Sequence, residues 1–176
     1  MSTPKHILVI RLSAMGDVAM TVPVLRAFSV QYPEHAITVV SRPFFKPFFQ
    51  DIPNVSFFAV DLAKRHKGFL GLLRLFFDLR KLNINAVADL HNVLRSKTIR
   101  TLFFLSGKKV AATDKGRKAK KELTRLENKI FAPVKPMFQN HADTFQKLGF
   151  PMDLSVVPFP EKAILSETIL EKVLFD

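Results

Sequence analysis

The sequence predicts an α/β fold in which a doubly wound, mostly parallel sheet is flanked by helices. Three observations carry that expectation. Five short apolar runs fall within the first 113 residues, each bounded by polar or turn residues. Amphipathic stretches of about a dozen residues separate most of them, the alternation of a βαβ chain. Hydrophobic residues make up 48% of the 176-residue chain and charged residues 24%, enough apolar side chain for one sizeable core.

HILVI (6–10) is too short for a helix and rich in branched residues, so it reads as a buried strand. RLSAMGD (11–17) is a loop of small and polar residues. A helix follows with Val18, Val22, Leu25 and Ser29 on one face and Met20, Val24 and Phe28 beside it. Pro23 within that segment predicts a kink or a late start, and Tyr32-Pro33 closes it. AITVVS (36–41) is the second strand. Three prolines break RPFFKPFFQDIPN (42–54) into a loop or a short irregular helix. VSFFAV (55–60) is the third strand. GFLGLLRLFFDLRKLN (68–83) carries a helical stripe at 69, 72, 73, 76 and 79. NAVADL (85–90) is the fourth strand, LRSKTIRTLFFLSG (94–107) a helix stopped by Gly107, and KKVAAT (108–113) the fifth strand. Together these make a Rossmann-like sheet.

Beyond residue 113 the texture changes. DKGRKAKKELTRLENK (114–129) is an exposed helix or a mobile loop. HADTFQKLGF (141–150) is a short helix closed at Gly149. LSVVPFPEKAILS (154–166) is an extended connector, and SETILEKVLFD (166–176) begins a helix capped by Ser166, with Ile169, Leu170 and Val173 as its apolar stripe.

Composition narrows the function. No cysteine is present, which removes disulfides, thiolate zinc sites and a cysteine nucleophile. The formal net charge of +12 favours anionic partners. No apolar run approaches the roughly 20 residues of a membrane span, and four apolar residues before Arg11 are too few for a signal-peptide core, so a cytoplasmic protein is expected. Phenylalanine dominates the aromatic residues, at 18 against one tyrosine and no tryptophan. Phe44, Phe45, Phe48 and Phe49, beside Arg42 and Lys46, either form a greasy cationic contact with an anionic leaflet or partly fill the core.

In open parallel sheets ligands bind beyond the C-terminal strand ends, where the strand order reverses. The first such loop holds Gly16, which allows close backbone approach, and Asp17 at a helix start. Asp17 is either a proton acceptor or an ordinary first-turn acid. One glycine does not make a dinucleotide fingerprint, and a Walker loop is absent. Five scattered histidines make no metal site. The fourth strand end gathers Asp89, His91, Asn92, Arg95 and Ser96, which line the same cleft or form a capping turn. The basic run of Lys108, Lys109, Lys115, Arg117, Lys118, Lys120, Lys121, Arg125 and Lys129 is a solvated face or a phosphate-binding flap.

HILVIRLSAMGDVAMTVPVLRAF (6–28) resembles the opening of glycosyltransferase family 9, which contains the lipopolysaccharide heptosyltransferases: a strand, then R-x-S-x-x-G-D, then a T-x-P-x-L helix. DLHNVLRS (89–96) resembles that family's D-L-Q-G-x-x-R-S motif, with His91 and Asn92 in place of Gln-Gly. NHADTFQKLGF (140–150) resembles a third landmark, a His followed by a helix ending Leu-Gly. The resemblance spans residues 6–150. It implies the GT-B architecture, two Rossmann-like halves facing across a cleft, of which this chain is the N-terminal, acceptor-binding half (1–160). Residues 161–176 then start the interdomain linker, and the C-terminal donor-binding half is absent, so the chain alone has little or no activity. It implies inverting transfer from a nucleotide-sugar, typically ADP-heptose, which is a substrate, so no cofactor is expected. The family's general base maps onto Asp17. Substrate contacts map onto Ser13, Met15, Gly16, Thr21, Asp89, His91, Asn92 and Arg95, and Lys118 and Lys120 of the basic run join them as phosphate ligands. The implied acceptor is a lipid-linked, phosphorylated Kdo–lipid A core, reached by peripheral contact with the inner membrane, with no nucleic acid involved. Two rivals stand beside this reading. One is a nucleic-acid or anionic-surface module that uses the basic run around 108–129, and the other is a free-standing nucleotide-binding enzyme with a divergent phosphate loop at 13–17.

Overall fold

A computed structural model of the protein describes residues 3–127, 129 and 131–156. Strands β1 (His6–Ile10), β2 (Ala36–Ser41), β3 (Val55–Ala59), β4 (Ala86–Asp89) and β5 (Lys109–Ala112) form one parallel sheet in the order β3-β2-β1-β4-β5. The chain starts at the centre, steps outward through β2 and β3, then crosses back to β4 on the other side of β1. The order therefore reverses between β1 and β4, whose last residues, Ile10 and Asp89, are register partners. This is the doubly wound Rossmann-like sheet expected from the sequence.

Burial on both faces explains why the strands read as unbroken apolar runs. Ile7, Val9, Ile37 and Val39 pack on one side with Leu25 and Phe28 of α2 (Val22–Gln31) and Phe145 and Leu148 of α6 (Met137–Leu148). Leu8, Ile10, Val40 and Val87 pack on the other with Leu75, Phe76 and Leu79 of α3 (Gly68–Arg80) and Ile99 and Phe103 of α4 (Leu94–Leu105). Much of the phenylalanine excess is core. Phe28 lies 5.2 Å from Phe145 and 5.4 Å from Phe150, ring to ring, and joins α2 to α6. Such aromatic pairs add about 0.5–1.5 kcal/mol each beyond the area they bury.

Several boundaries differ from expectation. A one-turn helix, α1 (Met15–Ala19), already occupies the end of the expected 11–17 loop, and α2 restarts at Val22. Pro23 sits in the first turn of α2, where its missing N–H has no helical partner to lose, so it sets a start without kinking the helix. Pro43–Phe48 is a 3-10 helix, the irregular alternative. Of the two readings for its phenylalanines, the structure takes the one in which they partly fill the core: Phe45 and Phe49 are buried and Phe48 is half-buried, which leaves Phe44 exposed. Helix α6 begins at Met137, four residues before the expected 141, so Asn140 and His141 lie inside it, and Gly149 closes it at φ 100°. Of the two readings for 114–129, a helix holds over α5 (Arg117–Leu123), which buries no residue. The expected Ser166-capped helix and the 161–176 linker lie outside the described residues.

The loop before α3 shows a constraint invisible in the sequence. A Cβ on Gly71 would sit 2.3 Å from the His66 carbonyl carbon, so only glycine lets the 61–67 loop lie on the helix. No helix among the described residues is long and apolar enough to cross a membrane.

Candidate active site

The reversal of strand order places the exits of β1 and β4 side by side, and Arg11 joins them. Its Nη1 donates to the Leu90 carbonyl at 2.6 Å, and its Nη2 pairs with the Asp17 carboxylate. The Leu12 N–H donates to His91 Nδ1 at 3.1 Å. A ring nitrogen that accepts cannot carry the proton, so His91 is the Nε2–H tautomer. The Ser41 hydroxyl holds the Arg11 carbonyl from β2. Arg11 is thus a buried cation, pulled below its ordinary pKa by burial, with Asp17 and Asp89 opposing that pull.

The loop after β4 is built on Asp89. Its Oδ1 accepts from the backbone N–H of His91 at 3.1 Å and of Asn92 at 2.7 Å, and its Oδ2 accepts from Arg100 Nη1 at 2.9 Å. Asn92 takes a left-handed backbone at φ 47° and donates from Nδ2 to the Thr113 carbonyl, tying the loop to the end of β5. Ser96 caps α4 by accepting from the Val93 N–H.

These contacts sort the expected site residues. Met15, Gly16 and Asp17 are exposed, Ser13 and Asn92 are half-buried, and His91 keeps a small accessible edge. A Cβ on Gly16 would meet no atom within 4 Å, so the space above that backbone is open. Thr21 and Asp89 differ from these: both are fully buried in this structure, and the Thr21 hydroxyl donates to the Val18 carbonyl at 2.6 Å. They shape the two loops and have no surface for a ligand to touch. Arg95 lines a cavity of about 450 Å³ with Arg42, Val60, Asp61 and Leu62. Lys118 lines a smaller one, about 150 Å³, with Asn92, Lys97, Lys115 and Arg117. Lys120 lines neither, because side chains two apart on a helix point to different sides. Asp17 also lines neither cavity and stands on open surface, its side chain 52% exposed.

Sequence reasoning missed Arg11 as a site member, and it placed Arg42, Lys115 and His141 only within the aromatic patch, the basic run and the third motif. The first had a readable signal, since the residue that leaves a buried parallel strand at a strand-order reversal must face the ligand edge. His141 is fully buried on α6, where its Nδ1 lies 3.2 Å from the Thr113 hydroxyl. Burial, then Arg11, lowers its pKa to about 4. The same causes, burial followed by Arg11 and Lys115, lower His91 to about 4. Lys115 is pulled down by burial and then by Arg117 and Arg11. Cationic potential therefore converges on this edge of the sheet.

The two histidines make a pH prediction. The folded state resists protonating them, whereas in the unfolded chain they protonate near pH 6.5. Stability is full above about pH 7 and falls as the pH drops from 6.5 towards 4. Between pH 7.5 and 5.5 the loss is about 2–3 kcal/mol for the pair. Urea titrations at the two pH values measure it, and equal stabilities would refute it.

Chemically, the edge combines an accessible carboxylate held by a buried guanidinium, a neutral histidine, and two cavities lined with cations. Such a site can take a proton from a hydroxyl and hold anionic groups beside it. Among the described residues no group of three His, Asp or Glu is placed to hold a metal ion.

No family model and no curated protein matches the chain. Solved structures do. A glycosyl transferase family 9 protein from Veillonella parvula DSM 2008 superposes at TM-score 0.66, with 20% identity over 99% of this chain and 50% of its own. The E. coli heptosyltransferase WaaC with ADP-2-deoxy-2-fluoro heptose gives 0.61, with 18% identity over 84% of this chain and 50% of its own. E. coli ADP-heptose lps heptosyltransferase II gives 0.56, with 17% identity over 97% and 50%. The chain thus has the fold found in glycosyltransferases of this kind and spans about half their length.

Proposed function

We propose that this chain is the acceptor-binding half of an inverting glycosyltransferase of the heptosyltransferase kind, which moves a sugar from a nucleotide-sugar to a lipopolysaccharide-core-type acceptor. The observation that carries the reading is Asp17: an accessible carboxylate at the exit of the central strand, oriented by the buried Arg11. The fold likeness and the motif resemblance support it.

In this mechanism Asp17 takes the proton of an acceptor hydroxyl as that oxygen attacks the anomeric carbon. The bond from that carbon to the nucleoside diphosphate breaks, and its electron pair leaves on the phosphate oxygen. Attack from the opposite face inverts the centre. The Arg11 ion pair keeps the carboxylate pointing outward, which reduces the motion needed at the moment of transfer. Arg42 and Arg95 in one cavity, and Lys115 and Lys118 in the other, bind phosphates or carboxylates of the acceptor. The donor, ADP-heptose or a related nucleotide-sugar, is a substrate held by a second unit, and no cofactor takes part. The acceptor is lipid-linked, so the reaction runs at the cytoplasmic face of the inner membrane.

Titrating the chain with a deacylated, phosphorylated Kdo–lipid A saccharide tests the acceptor side. Saturable amide shifts are expected at Gly16, Asp17, Asn92 and Arg95. Shifts confined to α5, with binding to unrelated oligonucleotides that weakens steeply with salt, would instead make the chain a nucleic-acid-binding module.

A further inference from the structure

Two polar atoms near the ligand edge of the sheet are buried and make no hydrogen bond among the described residues: Arg11 Nε and His141 Nε2. Arg11 is 5% exposed and His141 0%, so bulk water satisfies neither. The rest of each side chain is engaged. Arg11 Nη1 and Nη2 hold the Leu90 carbonyl and the Asp17 carboxylate. His141 Nδ1 lies 3.2 Å from the Thr113 hydroxyl, and the Thr113 N–H donates to the Asp89 carbonyl. Helix α6 packs on β4 and β5, which brings its ring to the strand ends where the two loops leave the sheet.

The two unpartnered atoms are complementary. A guanidinium Nε carries a proton and can only donate, whereas a neutral imidazole offers one nitrogen as an acceptor. When His141 Nδ1–H donates to the Thr113 hydroxyl, the Nε2 lone pair is left free. Of the charged groups, Arg11 acts most strongly on this ring, and a lone pair suits that cation better than a second N–H does. The opposite tautomer would leave two buried donors without an acceptor. The two atoms do not meet within hydrogen-bond distance, so the link needs a water between them.

We propose that His141 is a positioning residue for Asp17: its Nε2 accepts from the Arg11 Nε–H through one buried water and so fixes the guanidinium whose Nη2 holds the carboxylate. Every N–H direction of Arg11 that faces the protein then has a partner, and the ion pair keeps one orientation. The link stands by itself, and its role in catalysis rests on the reading of Asp17 as the base.

Ring-nitrogen spectra of the 15N-labelled 176-residue chain at pH 7.5 test the link. His141 is expected as the Nδ1–H tautomer, in contrast to the Nε2–H form of His91. His141→Phe keeps the bulk of the ring and removes the acceptor, so hydrogen exchange at Arg11 Hε quickens by about tenfold or more. His141→Gln, whose amide oxygen can stand in for Nε2, keeps that exchange within about threefold of the parent. With the donor-binding half supplied, the Phe variant lowers kcat by about tenfold or more with KM for the acceptor nearly unchanged, and the Gln variant recovers most of the rate. Asp17→Asn separates the two claims: a normal rate there removes the base, while the ring spectra and exchange rates still decide the link. Three results would overturn the proposal. His141 Nε2 could carry the proton in the parent chain, a result that needs no variant to fold. Arg11 Hε exchange could be the same in His141→Phe as in the parent. The Phe variant could keep the parent kcat while Asp17→Asn is inactive.

Discussion

Replacing Asp17 with asparagine is expected to slow sugar transfer by about 2–4 orders of magnitude. Asparagine keeps the size of the side chain, and its amide oxygen can still accept from Arg11 Nη2. The loop therefore keeps its shape, and the capacity to take the acceptor proton is what disappears. Half of the Asp17 side chain is in solvent, so loss of the ion pair costs about 1 kcal/mol or less. The expected pattern is a collapse in kcat with little change in KM for the acceptor and almost none in the melting temperature. The assay supplies the donor-binding half, fused to or mixed with this chain, and follows nucleoside diphosphate release. Transfer at near the parent rate would remove Asp17 as the base. A large fall in melting temperature would mean that the carboxylate serves chiefly as counterion to the buried Arg11.

The second large effect is on folding. Asp89→Ala is expected to cost about 3–5 kcal/mol, much of the roughly 5–15 kcal/mol that holds a domain together. One fully buried carboxylate satisfies two backbone N–H groups and the Arg100 guanidinium. Alanine leaves all three donors without that acceptor and Arg100 without its counterion. Asp89→Asn retains one acceptor but turns an NH2 group towards the remaining donors, so about 2 kcal/mol is expected. Urea unfolding of the parent and both variants measures the series. A loss below about 1 kcal/mol for alanine would mean that water replaces these bonds and that Asp89 is not what builds the loop. The positions of His91 and Asn92 depend on the same bonds, so the alanine variant also weakens acceptor binding without touching the acceptor.

The strands were legible for a simple reason. A parallel strand covered on both faces needs an apolar residue at nearly every position, and HILVI and AITVVS meet that need without reference to the rest of the chain. The helix stops at Gly107 and Gly149 were legible because both take positive φ. The motif loops were legible as places. The roles of their residues were less so. In RPFFKPFF four phenylalanines look alike, yet Phe45 and Phe49 are buried while Phe44 faces solvent. In DLHN the acid that reads as a ligand contact turns inward, and Arg11, which reads as the end of a strand, becomes the bridge that orients Asp17.

The sequence by itself determined the layer architecture, the strand and helix order, and the two loops where chemistry gathers, because apolar periodicity and turn residues act over a few neighbours. Only the tertiary structure decided which polar groups face the ligand and which hold the loops. Arg11 meets Leu90, and Leu12 meets His91, across 79 residues of chain. Gly71 is required by a backbone that folds over it. Whether a carboxylate is free to take a proton or is used up by buried donors depends on which groups the strand-order reversal brings beside it, and no local pattern encodes that.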